Sequence, residues 1–150
     1  IKKIEVEHDI ALEKELKDEK LGVLDVKAVL NDDMEIDIEL QIENEHNIIE
    51  RSTFYGTRLI SSQLESGQDY LNIKPSIVIA ILNFNVFEYE EYINSTVTVL
   101  DKHREHEVNR YLKYYYIELP KFRKSKVNEE DKVSDWLVFI DSKDEKRIGK

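Results

Sequence analysis

Cysteine is absent from the 150 residues, which excludes disulfides and thiolate metal sites and suits a reducing, cytoplasmic setting. No apolar run approaches the roughly 18 residues of a membrane-spanning helix. No signal peptide opens the chain, which starts at Ile1 rather than Met. Only four glycines occur, and neither a Gly-rich phosphate loop nor a G-x-S-x-G elbow is among their surroundings. Basic residues are also in deficit, 22 against 32 acids for a net charge of -10. That balance argues against a general nucleic-acid coating protein, because phosphate binding draws on a basic surface. What is present is 41% hydrophobic and 36% charged, the composition of one domain, residues 1–150, with a core and a heavily solvated exterior.

The chain has a charged entry and a charged exit. "EHDIALEKELKDEK" (7–20) is a charge run and reads as a solvated loop or short exposed helix. From Gly22 the pattern turns to period two, and Asn31-Asp32-Asp33 supplies a turn. From about Asn47 the period lengthens, with Ile48, Ile49, Ser52, Tyr55, Leu59, Ser62 and Gln63 on one helical stripe that runs to a breaker at Gly67. "SIVIAILNFNVF" (76–87) reads as a strand buried on both faces. "STVTVLD" and "YYYIELPKF" read as later strands, the second closed by Pro120, and "DKVSDWLVFI" as an amphipathic helix before a charged tail, 141–150. No internal repeat or low-complexity tract interrupts them.

The strands at 23–44, "VLDVKAVLNDDMEIDIELQIEN", carry acids at alternate positions. Val23, Asp25 and Lys27 share one face of the first, and Asp37, Glu39 and Gln41 share one face of the second. A three-residue loop at 31–33 pairs Leu30 with Met34 and therefore sets Asp25 opposite Glu39. A two-residue loop shifts the pairing by one and sends the acids to opposite faces. The apolar residues favour the first register, which puts Leu24, Val26 and Ala28 on the same face as Ile36, Ile38 and Leu40. Like charges opposed on a sheet are destabilising, so the acids need a cation. Lys27, opposite Asp37, is one candidate; a divalent metal with hard oxygen ligands is the other. Alternation by itself favours a solvated polar face over a metal site.

The "LDV" of 24–26, the "IELQ" of 38–41, the helix "RSTFYGTRLISSQLESGQDY" and "KPSIVIAILNFNVF" together resemble the PD-(D/E)XK nuclease-family transposases, the recombination-promoting nucleases. The similarity continues through "YIELPKF" and "DWLVFI" and so covers about residues 22–140. It implies an α/β, restriction-endonuclease-like fold: a mixed sheet flanked by helices, with the acidic hairpin at the active centre. It further implies a divalent-metal-dependent DNA endonuclease acting in transposition or recombination, with Mg2+ or Mn2+ as cofactor. Asp25 and Glu39 then take the metal-ligand positions and the carbonyl of Leu40 a third. Gln41 stands where the wider superfamily has lysine. An amide orients water by hydrogen bonds but cannot act as a base. The helical segment that precedes the hairpin in the family has no clear counterpart before Gly22.

The helix after the hairpin offers Arg51, Tyr55 and Arg58, spaced by four and three so that they share a face. Arg51 and Tyr55 can grip phosphate or can equally pair with an acid and pack on the sheet. Arg58 and Gln63 lean to structural roles, although the family helix places a Gln at position 63 and so lists it with the substrate-binding residues. His103 and His106 have a spacing that would serve a metal on a helix, but no third ligand follows and a solvated segment is the better reading. The expected partner is DNA, without membrane, and a homodimer is open. The function of a different class is a degenerate nuclease-fold module that binds a protein partner and cuts nothing. The -10 charge speaks for that alternative.

Overall fold

The computed structural model describes residues 4–11, 23–30, 34–125 and 132–148, with side chains over 26–30, 34–125 and 132–141. Strands β1 (Ile4–Ala11), β2 (Val23–Leu30) and β3 (Glu35–Gln41) form an antiparallel meander. Helix α1 (Ile48–Ser61) then returns the chain to β4 (Ser76–Leu82), which lies parallel to β3. Next come β5 (Ile93–Ser95) and a separate antiparallel pair, β6 (Thr98–Leu100) and β7 (His103–Asn109). Strand β8 (Leu112–Glu118) lies parallel to β4 on its other side and antiparallel to β5. Among the described residues the main sheet is therefore six-stranded and mixed, in the order β1-β2-β3-β4-β8-β5. Helices α2 (Leu119–Phe122) and α3 (Lys132–Ile148) close the described chain. This is the α/β, restriction-endonuclease-like arrangement of a mixed sheet flanked by helices.

Both faces of the central strands are covered, which is why β4 reads as a continuous apolar run. On one face Tyr55 and Leu59 of α1 pack on Val78, and Ile48 packs with Ala80, Leu82 and Tyr116. On the other, Ile81 and Ile117 meet Leu119 and Phe122 of α2 and Leu137 of α3. The segment after β4 is pinned by Glu118, a buried carboxylate that accepts from the amides of Val86 (2.6 Å) and Phe87 (3.2 Å). Lys121 donates to the other oxygen of Glu118 at 2.6 Å and to the Phe87 carbonyl at 2.8 Å. The Glu118–Lys121 pair is thus spent on holding backbone.

Several boundaries differ from the sequence expectation. Residues 7–11 of the charge run belong to β1, where the period-two residues Val6, His8 and Ile10 sit level with Ala28, Val26 and Leu24. The alternation was masked by intervening acids. Residues 12–20 of that run lie outside the described residues. Helix α1 ends at Ser61, and Gly67 (φ 89°) serves a later turn instead. Ile49 of the expected stripe is exposed. Strand β4 stops at Leu82, and Pro120 sits in the first turn of α2, where its missing N–H costs nothing. His103 and His106 lie on the exposed strand β7, not a helix, and an odd separation on a strand sends them to opposite faces.

Helix α1 approaches β8 closely at Gly56. A Cβ there would lie 2.7 Å from the Tyr114 hydroxyl and 3.0 Å from Leu112. Gly56→Ala is therefore expected to destabilise the fold by about 1–3 kcal/mol through overpacking. Tyr114→Phe in the same chain should recover part of that loss, because it removes the nearest atom. Denaturant unfolding of the single and double variants measures both effects.

Candidate functional site

The pairing of β2 with β3 is that of a three-residue connection: Val26 opposite Ile38, Lys27 opposite Asp37, Ala28 opposite Ile36. The Leu30 amide donates to the Met34 carbonyl at 3.0 Å. Continued one step beyond the Val26–Ile38 pair, the same register would set Asp25 of β2 level with Glu39 of β3. The side chain of Asp25 lies outside the described residues. In β3, Glu35, Asp37, Glu39 and Gln41 alternate with Ile36, Ile38 and Leu40, so the polar set takes one face. Parallel pairing puts Asp37 level with Val78, Glu39 with Ala80 and Gln41 with Leu82. These β4 residues lie under α1. The acidic face therefore points towards the helix.

Asp37 and Glu39 have no solvent exposure. Burying a carboxylate demands a cation or several donors. For Glu39 a cation comes from the first turn of α1, with Arg51 Nε 3.3 Å from Oε2. Arg51 also lies over the Tyr55 ring, 5.3 Å from its centroid. Such cation–π contacts contribute about 0.5–1 kcal/mol at exposed sites and more when desolvated. Tyr55 is itself buried against Leu59 and Val78. The structure thus brings Arg51 and Tyr55 to Glu39, with Tyr55 as platform. Lys27, level with Asp37, donates to Glu35 at 2.9 Å, two positions along the same face.

Gln63 stands elsewhere. Its amide group donates to the Lys74 carbonyl (3.2 Å) and to Ser76 Oγ (2.9 Å), and its oxygen accepts from the Lys74 amide (2.8 Å). Ser76 lies four residues, about 13 Å, along β4 from Ala80, which is level with Glu39. Gln63 staples the entry of β4 to the end of α1.

Two buried amide oxygens, one at the end of β3 and one just after β4, bear on what the site can hold. Gln41 Oε1 is buried with no hydrogen-bond donor, and so is Asn83 Oδ1. Asn83 follows β4 directly, and its amide donates to the Gln41 carbonyl at 2.9 Å. Sequence reasoning passed over Asn83; the polar break it makes after "IVIAIL" was the available signal. A buried acceptor left without a donor costs about 1–3 kcal/mol, a deficit that an external donor or cation removes. Carboxylate, amide and carbonyl oxygens are hard donors, the set that suits Mg2+ or Mn2+. The residues present fit such an ion. Among the described residues no three His, Asp or Glu side chains form a metal-holding group by themselves.

Comparison with protein-family models matches residues 1–149 to one described as PD-(D/E)XK nuclease family transposase. Comparisons with curated proteins and with solved structures find no match. The family match includes the residues before Gly22. No described helix is long and apolar enough to cross a membrane.

Tyr116, in the same row of the sheet as Glu39 and Ala80, shares a 2.8 Å hydrogen bond with Ser52 of α1. Burial raises its pKa above the usual tyrosine value, and the Ser52 hydrogen bond opposes that in part. Tyr114 is raised too, by burial and then by Tyr116, against a hydrogen bond with Thr53. A raised folded pKa means that the fold prefers the neutral phenol. That stabilisation is complete below the unfolded value near pH 10 and is lost as pH climbs through the folded value. Chemical denaturation across pH 8–12 should show wild-type stability falling above about pH 10. The fall should be shallower in the Tyr114→Phe/Tyr116→Phe protein. At neutral pH Tyr116→Phe should cost about 1 kcal/mol for the lost hydrogen bond.

Proposed function

The chain belongs to the PD-(D/E)XK nuclease family transposases, and on that premise we propose that it is a divalent-metal-dependent DNA endonuclease acting in transposition or recombination. The observation that carries the reading is Glu39: a carboxylate with no solvent exposure on the helix-facing side of β3, in a hairpin whose observed pairing ends one step short of Asp25 and Glu39. Asp25 and Glu39 are the proposed ligands for Mg2+ or Mn2+, with the Leu40 carbonyl as a third. When bound, the ion supplies Lewis-acid polarisation of the phosphate and acidification of water. Gln41 orients the attacking water through its amide, since it has no proton-accepting function of its own. Arg51 binds the phosphodiester, with Tyr55 supporting its guanidinium from below. Gln63 keeps β4 and α1 aligned.

The test is cleavage of supercoiled DNA by the full chain with Mg2+ or Mn2+, run beside thermal melting at increasing metal concentration. Asp25→Asn and Glu39→Gln are each expected to reduce cleavage to background. Both should also lose the rise in melting temperature that metal confers on the wild type. Gln41→Ala should cost less, about 10–100-fold, the usual loss when a group supporting a metal site is removed. Equal metal-induced shifts in wild type and Asp25→Asn would place the ion elsewhere and defeat the assignment. A chain that neither binds metal nor cuts would be the interaction module that its -10 charge permits.

A further inference from the structure

Glu39 and Arg51 differ in their freedom to move. Glu39 projects from β3, a strand with a neighbour on each side in the sheet, and is fully buried. The Arg51 side chain is one-third exposed and reaches Glu39 from the first turn of α1 at 3.3 Å. A guanidinium on a long stem can swing to solvent while its backbone stays in the helix, and the Tyr55 ring gives it a second surface to rest on. The carboxylate cannot follow.

We propose that Arg51 is a resident counter-cation, held at Glu39 until a divalent ion displaces it and then released to grip the phosphodiester. The inference rests on the reading of Glu39 as a metal ligand. Two cations compete for one buried carboxylate. Without metal, the guanidinium lies against the buried carboxylate and offsets its charge. Once a doubly charged ion sits at the carboxylate, a guanidinium beside it is repelled and turns to the phosphates of a bound DNA backbone. Metal and DNA binding are then positively coupled, and by linkage each strengthens the other by the same factor. Arg51 is a positioning residue for the metal step and a binding residue for the substrate.

Mn2+ binding by calorimetry, and binding of a short DNA duplex with and without Mn2+, test this on the full chain. Arg51→Met should bind Mn2+ about tenfold more tightly than wild type, because the competitor is gone, whereas Arg51→Lys should stay near wild type. The gain in duplex affinity that Mn2+ produces in the wild type should vanish in Arg51→Met. Melting without metal reports whether each variant folds. Should Arg51→Met fail, Arg51→Gln, which keeps a donor to the carboxylate without the charge, serves in its place. Unchanged or weaker Mn2+ binding by the neutral variants, with binding still abolished in Glu39→Gln, would overturn the displacement while leaving the metal reading intact. Wild-type Mn2+ affinity in Glu39→Gln, or no Mn2+ binding by any protein, would overturn the metal reading and the displacement together.

Discussion

Strand β3 turns Glu35, Asp37, Glu39 and Gln41 to the same side as the core residues Val78, Ala80 and Leu82 of β4, and the surrounding structure is arranged around keeping them there. Carboxylates under a helix persist only if cations or donors reach them in the low dielectric of the interior. Arg51 answers Glu39 from the first turn of α1, and Lys27 answers Glu35 from β2. The crossover that lets β3 and β4 run parallel is what lays α1 over this face.

The position of α1 is set by contacts that have no part in chemistry. Gly56 allows the helix down onto Tyr114, Ser52 bonds Tyr116, and Gln63 ties the helix end to the start of β4. At the far end of the same strands, Glu118 and Lys121 hold the segment that follows Asn83. These polar groups are deeply placed and would catch the eye of anyone seeking active-site residues. Their hydrogen bonds go to backbone and to neighbouring elements, the mark of groups that build a site from outside it.

Much of the hairpin was legible because period-two alternation and loop length together leave one register that keeps the apolar residues on a common face. Leu24, Val26 and Ala28 against Ile36, Ile38 and Leu40 decide it, and the acids are carried along. The helical stripe of Ile48, Ser52, Tyr55 and Leu59 was legible for the same kind of reason. Strand β1 was not, because acids between its apolar residues imitate a solvated run until β2 supplies a partner. His103 and His106 show how little spacing alone carries, since three residues apart means one face on a helix and opposite faces on a strand; the solvated segment preferred for them is the exposed strand β7.

The sequence by itself determined which β3 residues share a face and which β2 residues stand opposite them, since both follow from local periodicity and a short turn. Only the tertiary structure decided that this polar face is buried under α1, because burial depends on a crossover connection and on the parallel pairing of β3 with β4 some 40 residues apart. It alone decided the fate of the polar side chains as well. Arg51 reaches Glu39, Tyr55 becomes its platform, Gln63 becomes a staple, and Asn83 arrives beside Gln41. Residue type limits what a side chain can bond, but the partner is whichever group the packed fold brings within about 3 Å.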